Sequence, residues 1–285
     1  MSIETIKNQI SEVVSIINKY DDELDRDGSR FNIFSILNVS SNEVRLHSNF
    51  IAELLNSKGT HGFKSEFCKL FITQLLPFEK NDIVKDFNFE NYNVEVEKST
   101  GLINQNYTSG GRIDILITDK QKRRIIIENK IFAGDQQNQL LRYYNFDKQG
   151  ILLYLTLNGN EPSEWSTNNE IQNNKDFHCI SYKVFITNWL EKCIVLSKDK
   201  PKVSETIFQY LHIIKNYTNQ NIKIKMTNEI VNLIANNKEF YNSIEEITNS
   251  YHTFRQSINE KFWREIRNKK PNQTILTTEK GIEIK

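Results

Sequence analysis

A glutamate and a lysine, Glu128 and Lys130, stand two residues apart inside the apolar run RRIIIENKI (123–131). Four isoleucines mark this run as a buried strand, and side chains along a strand alternate between its faces. Ile125, Ile127 and Asn129 therefore share one face, and Ile126, Glu128 and Lys130 the other. Just upstream, GGRIDILITD (110–119) sets Arg112, Asp114 and Leu116 on one face and Ile113, Ile115 and Ile117 on the opposite one. If the two strands pair as a hairpin, Asp114 comes alongside Glu128. Aspartate is depleted in strands, and an unpaired buried charge is costly. Two adjacent carboxylates also repel, which raises one pKa unless a cation intervenes. Asp114 and Glu128 thus form a candidate site for a hard cation. Mg²⁺, with Mn²⁺ as its substitute, is usually held by one or two carboxylates together with water and substrate phosphate. Lys130 adds a fixed positive charge suited to orienting a water or to stabilising charge on a phosphate.

The elements that must position these groups follow from periodicity. Ile3, Ile6, Ile10, Val13 and Ile17 recur at helical spacing over 2–20, before the charged break DDELDRDGSR (21–30). A helix over 40–57 is expected to start at Ser40 or Ser41 and to bury Leu46, Phe50, Ile51, Leu54 and Leu55. Another spans about 62–76 and ends before Pro77. From residue 90 the period becomes two, giving strands over NYNVEVEK (91–98), GGRIDILITD and RRIIIENKI. A helix over 134–148, stopped by Gly150, precedes the buried strand ILLYLTLN (151–158) and a further one at 177–182. Residues 183–270 read as mostly helical. Ile244, Ile247, Tyr251, Phe254, Ile258 and Phe262 form a stripe expected to be core or a dimer seam. The closing QTILTTEKGIEIK reads as a strand pair around a Gly turn. It ends without a stop signal, as expected of a chain cut from something longer.

The order is helix, three strands, helix, strand, an α/β core with helices added on both sides. The pattern Asp114–x13–Glu128–Asn129–Lys130 resembles the PD-(D/E)XK phosphodiesterase superfamily, whose restriction-endonuclease-like core is α-β-β-β-α-β. The resemblance covers about residues 32–160. It implies that Asp114 and Glu128 bind a divalent metal and that Lys130 assists the attacking water. The backbone carbonyl of Asn129 is then a further metal ligand. Gln139 and Tyr143, in QLLRY, resemble the QxxxY element of RecB-like and Cas4-like nucleases and would steady substrate or lysine. Glu43, in NEVRLHS, is the candidate for the remaining carboxylate of the upstream helix, with Glu53, Glu95 and Glu97 competing. Together with HS and the later His61–Gly62, it is similar to a bacterial nuclease-like branch of the superfamily. No Pro precedes Asp114, a departure shared by many members. By family habit the substrate is DNA, and a role in bacterial anti-phage defence or DNA repair is implied.

Each piece has a plainer reading. Glu128 and Lys130 can pair on a solvated edge strand, Asp114 can cap a turn, and Gln139 and Tyr143 can be packing residues. Glu43 can simply favour a helix N-terminus. His47 and His61 are read as structural, and no nucleophile-elbow motif accompanies Ser48. The turn KQKRR (120–124) offers Lys122 and Arg123 as phosphate-backbone contacts, or is simply solvated.

Composition frames these choices. A net charge of +1 on 285 residues makes nucleic-acid contact a matter of local patches. Three scattered cysteines, Cys68, Cys179 and Cys193, fit a reduced cytoplasmic protein. No apolar run long enough to span a membrane exists. The expected division is an N-terminal helix (1–30), a nuclease-like core (31–182) and a mostly helical region (183–285). Two functions remain open at this point. One is a Mg²⁺-dependent nuclease. The other is a catalytically silent module that binds nucleic acid or a partner protein. In either case the outer helices are available for a homodimer or a partner.

Overall fold

The computed structural model describes residues 3–26, 28–78, 81–269, 275–278 and 281–284. Its helices are α1 (Ile3–Arg26), α2 (Ile33–Ile36), α3 (Asn49–Leu55), α4 (Glu66–Thr73), α5 (Asn81–Asp86) and α6 (Gln139–Phe146). They continue with α7 (Glu164–Thr167), α8 (Thr187–Leu196), α9 (Pro201–Tyr217), α10 (Ile222–Ala235) and α11 (Lys238–Lys269). The strands are β1 (Tyr92–Ser99), β2 (Arg112–Asp119), β3 (Arg124–Lys130), β4 (Ile151–Thr156), β5 (His178–Ser181), β6 (Ile275–Thr278) and β7 (Gly281–Ile284).

Residues 24–224 form one compact unit. The division expected at residue 182 falls inside it, because α8 and α9 supply core residues. Trp189 of α8 is fully buried and its indole N–H donates to the Phe67 carbonyl at 2.8 Å. The unit is built on a five-stranded sheet in the order β1-β2-β3-β4-β5. The first three strands are antiparallel neighbours, whereas β3, β4 and β5 run parallel. The β3–β4 crossover passes through α6, as a parallel connection requires. The run of isoleucines in β3 is explained by its position as the central strand, buried on both faces. Ile125 and Ile127 pack with Ile115, Ile117, Leu153 and Leu155 into the larger core beneath α3, α4, α8 and α9. Ile126 packs with Leu116, Leu152, Leu140 and Leu141 under α6.

Helix starts differ from expectation where local hydrogen bonding overrides the apolar period. The segment 40–57 opens at Asn42, whose side chain accepts from the Arg45 amide at 2.8 Å. Its first stretch, Glu43–Ser48, is a π-helical turn running directly into α3. Helix α4 begins only at Glu66, because Gly62 and Lys64 adopt left-handed backbone (φ 68° and 49°). Helix α6 likewise starts after left-handed Asn138 (φ 50°), and 133–138 is irregular. That segment is held through Asp135, which accepts from the Tyr154 hydroxyl at 2.8 Å and from the Ser163 amide and hydroxyl at 2.7 Å each.

The second unit comprises residues 1–23 and 225–285. Within it, Lys19 pairs with Glu229 at 3.0 Å and the Tyr20 hydroxyl donates to the same carboxylate at 2.7 Å. Strands β6 and β7 pair antiparallel, as the closing sequence suggested. The α11 stripe is not core as a whole: Tyr251, Phe254, Ile258 and Phe262 are each at least half exposed. None of the described helices is long and apolar enough to cross a membrane.

Candidate active site

The β2–β3 ladder pairs Ile115 with Ile127 and stops there. The next pair in register is Asp114 opposite Glu128. In place of a backbone carbonyl, the Asp114 carboxylate accepts the Asn129 amide, with Oδ2 2.7 Å from the nitrogen. A side chain thus satisfies a donor that the ladder leaves over, and the two strands part around their carboxylates. Across β1, Glu97 faces this opening with left-handed backbone (φ 54°), and its carboxylate pairs with Arg112 at 2.5 Å.

Glu128 is buried, and its Oε1 lies 3.0 Å from Lys130 Nζ, which is also buried. The pair sits on the central strand, so the solvated edge-strand reading fails. No donor among the described residues reaches Glu128 Oε2. Its neighbour is the Asp114 carboxyl, another acceptor within hydrogen-bonding reach. Burial, chiefly, and the Asp114 charge push the Glu128 carboxyl well above the usual carboxylate range. Burial raises Asp114 to about 6, against the opposing pull of the Asn129 amide and the Lys130 charge. A buried and a half-buried acidic group that resist joint ionisation, one with an orphaned oxygen, form a donor set suited to a divalent cation. Among the described residues, no three His, Cys, Asp or Glu side chains converge into a closed metal cage. Two carboxylates fit an ion that keeps waters and takes further oxygens from substrate.

Glu43 also reaches the site, by a different contact. Its Oε1 accepts from three successive amides at the end of β3: Ile131 at 2.6 Å, Phe132 at 2.5 Å and Ala133 at 2.9 Å. The carboxylate thereby fixes the chain just past Lys130. Of its competitors, Glu53 is taken up by the Thr60 amide and hydroxyl, and Glu95 by Lys98. The side chain of Asn129 points to the opposite face from Glu128 and Lys130. Its Nδ2 donates to Ser48 Oγ at 3.1 Å, and its Oδ1 accepts from the Tyr182 hydroxyl at 2.9 Å.

Helix α6 closes the far side. The Tyr143 hydroxyl donates to the Arg112 carbonyl at 2.6 Å, and Gln139 Nε2 lies 3.4 Å from that hydroxyl. The buried Oε1 of Gln139 has no donor among the described residues. Asp114, Glu128, Lys130, Glu43, Glu97, Gln139 and Tyr143 all line one open cleft of about 480 Å³.

Two expected substrate contacts are not brought there. Lys122 and Arg123 lie in the β2–β3 turn, at the other end of the strands from Asp114. Six residues of strand place them on the order of 20 Å away. Arg123 is instead tied to Asp119 at 2.7 Å, locking the turn. The histidines are structural. Fully buried His47 bridges the Tyr210 hydroxyl (2.9 Å) and the Ser40 carbonyl (2.8 Å), and burial lowers it to about 4. His61 accepts from the Phe63 amide and meets the Asn56 carbonyl at 3.0 Å.

Sequence reasoning missed Arg142 and Tyr182, and it weighed Ser48 only as a nucleophile and not as the partner of Asn129. Arg142 lies within the QLLRY element and is almost wholly buried. It donates to the Gly110 carbonyl at 3.0 Å and also to that of Gln137. An arginine amid the apolar residues of a short helix was the available signal. Nothing in the sequence marks Tyr182.

A family model for the PD-(D/E)XK nuclease superfamily matches residues 31–212, well over half of the chain. The chain belongs to that superfamily. Comparison with curated proteins and with solved structures found no match for it.

Proposed function

We propose that this protein is a metal-dependent nuclease that hydrolyses phosphodiester bonds, with DNA as its substrate. The observation that carries this reading is buried Glu128 beside half-buried Asp114, with no donor among the described residues reaching Glu128 Oε2 and with Lys130 beside it. A protein that only binds has no use for two adjacent carboxylates whose joint ionisation its own fold opposes. Asp114, Glu128 and the carbonyl of Asn129 would hold the ion. When bound, a Mg²⁺ or Mn²⁺ ion supplies Lewis-acid activation of a water and of the scissile phosphate. Lys130 orients the attacking water and places positive charge where the phosphate gains negative charge. Glu43 acts as a positioning residue, holding the amides after β3 so that Lys130 cannot drift. Tyr143 and Gln139 fix the start of β2, and with it Asp114. On this reading the protein works in the cytoplasm, in anti-phage defence or DNA repair.

The test is cleavage of labelled single-stranded DNA, double-stranded DNA and RNA with Mg²⁺, Mn²⁺ or EDTA, beside Asp114→Ala. Cutting that needs metal and vanishes in the variant is expected. Tight binding without cutting of any substrate would overturn the enzyme in favour of the binding module.

A further inference from the structure

The loop joining β1 to β2, residues 100–111, forms one wall of the cleft, with Gly101, Leu102 and Ile103 lining it beside Asp114 and Lys130. Leu102 is 96% exposed and Ile103 45%, and Tyr107 on the same loop is 40% exposed. A lone exposed leucine is ordinary on a protein surface. This one stands on a loop built to hold it there.

Asn104 organises the loop interior. Its Oδ1 accepts from the amides of Thr108 (2.8 Å) and Ser109 (3.2 Å), and its Nδ2 donates to Thr108 Oγ1 at 2.9 Å. Backbone bonds close both ends, Gly111 N to Gly101 O at 3.0 Å and Tyr107 N to Asn104 O at 3.0 Å. Two side chains of α6 clamp the loop from outside, Arg142 on Gly110 O and Asn145 Nδ2 on Thr108 O, each at 3.0 Å. Gly110 is required where the halves touch. Its φ is +86°, and a Cβ there would stand 2.1 Å from the Leu102 carbonyl oxygen. The backbone that carries Leu102 and Ile103 is therefore already fixed, which lowers the ordering cost of using them as a contact.

Charge narrows the partner. Residues 100–111, TGLINQNYTSGG, carry no charged side chain, so nothing on the loop repels phosphates. Lys98, paired with Glu95, precedes it, and Arg112, paired with Glu97, follows. A rigid, uncharged apolar point next to a phosphodiester-cutting site has the chemistry of the leucine and isoleucine wedges that enter base steps.

We propose that Leu102, backed by Ile103, inserts into the base stack of a nucleic-acid duplex and unstacks the step next to the phosphate lying in the cleft. This rests on the nuclease reading and adds the substrate form, a duplex opened locally by the enzyme.

The test replaces both residues, Leu102→Ser with Ile103→Ser, which their exposure allows without harm to folding. The probe is a DNA duplex with 2-aminopurine at successive positions, bound by Asp114→Asn protein so that nothing is cut. The parent should raise the fluorescence at one or two positions, and the added serine pair should abolish the rise. In the cutting background, the serine pair should slow cleavage of matched duplex at least about tenfold, because the cost of unstacking the step is no longer offset by the apolar wedge. The same duplex with a two-base mismatch at the cutting position should be cut within about twofold of wild type. Equal cutting of both substrates by wild type and variant would overturn the wedge and leave the nuclease standing. Binding without any fluorescence change would do the same. If wild type neither cuts nor binds nucleic acid, wedge and nuclease fall together.

Discussion

Lys130 Nζ lies 3.0 Å from Glu128 Oε1, and no donor among the described residues reaches the other oxygen of that carboxylate. The two oxygens thus have separate assignments, one neutralised by a fixed cation and the other turned to Asp114. The two residues should therefore fail differently. Glu128→Ala should lose both cutting and the stabilisation that Mn²⁺ gives the wild type. Lys130→Ala should cut about a hundredfold slower or worse while keeping most of that stabilisation. Thermal denaturation with and without Mn²⁺, beside a cleavage assay, separates them, and a Lys130→Ala enzyme of undiminished rate would remove the lysine from the mechanism.

The raised Asp114 carboxyl predicts a pH dependence with a definite sign. In the metal-free folded protein it titrates at about 6, above the ordinary 3.8. The folded state therefore binds its proton more tightly than the unfolded one, so this group's contribution to stability falls as pH rises from about 4 through 6. Metal binds the ionised pair, so Mn²⁺ affinity should rise across the same window and keep rising above it, because the Glu128 carboxyl is held higher still. Calorimetric titration from pH 5 to 8 reads this directly. Asp114→Asn should reduce the fall in metal-free stability between about pH 4 and 6, and an unchanged profile would contradict the assignment.

The centre of the site was legible because strand periodicity is rigid. Once β2 and β3 are hairpin partners, alternation alone brings Asp114 opposite Glu128 on one face, and the pairing of Ile115 with Ile127 fixes that register. The role of Glu43 was not legible, since its three amide donors lie 88 to 90 residues away along the chain. The same holds for Tyr182 against Asn129 and Arg142 against Gly110, contacts that only folding creates. That Lys122 and Arg123 lie away from the cleft has a simpler reason. Charge at a turn is visible in sequence, but the end of the sheet on which that turn lies relative to the site follows from strand direction. A hairpin with its carboxylates at the open end puts its turn at the far one.

His47 carries a second titration, of opposite sense to that of Asp114. It is fully buried between the Ser40 carbonyl and the Tyr210 hydroxyl, and burial, against the opposing pull of the Ser40 hydrogen bond, lowers it to about 4 from 6.5. Its contribution is complete above about pH 6.5 and is lost as pH falls toward 4, by about 3 kcal/mol. Denaturant titrations at pH 7.5 and 4.5 should show wild type losing more stability on acidification than His47→Gln. Parallel losses would show that the imidazole stays uncoupled from folding.

Tyr143 should act on the scaffold before the chemistry. Its hydroxyl donates to the Arg112 carbonyl at 2.6 Å, two residues before Asp114. Tyr143→Phe leaves that acceptor without its donor, at a cost of about 1–3 kcal/mol. The expected result is a lower melting temperature and modestly slower cutting, with Mn²⁺ stabilisation retained. Loss of metal response with an unchanged melting temperature would instead put the hydroxyl at the ion.

Glu43 decides between holding the chain and holding the metal. Its Oε1 gathers the amides of residues 131–133, a contact that needs an acceptor oxygen but not a full negative charge. Glu43→Gln keeps such an oxygen, whereas Glu43→Ala leaves three amides at the end of β3 without it. A positioning role therefore predicts a graded series: the Gln variant within about tenfold of wild-type cutting, the Ala variant lower by about a hundredfold, and less stable by about 1–3 kcal/mol. Mn²⁺ stabilisation should survive in both. A direct ligand would behave otherwise, because an amide oxygen is a poor replacement for a carboxylate on a hard cation. Loss of Mn²⁺ stabilisation in Glu43→Gln, with folding intact, would move Glu43 from the backbone to the metal shell.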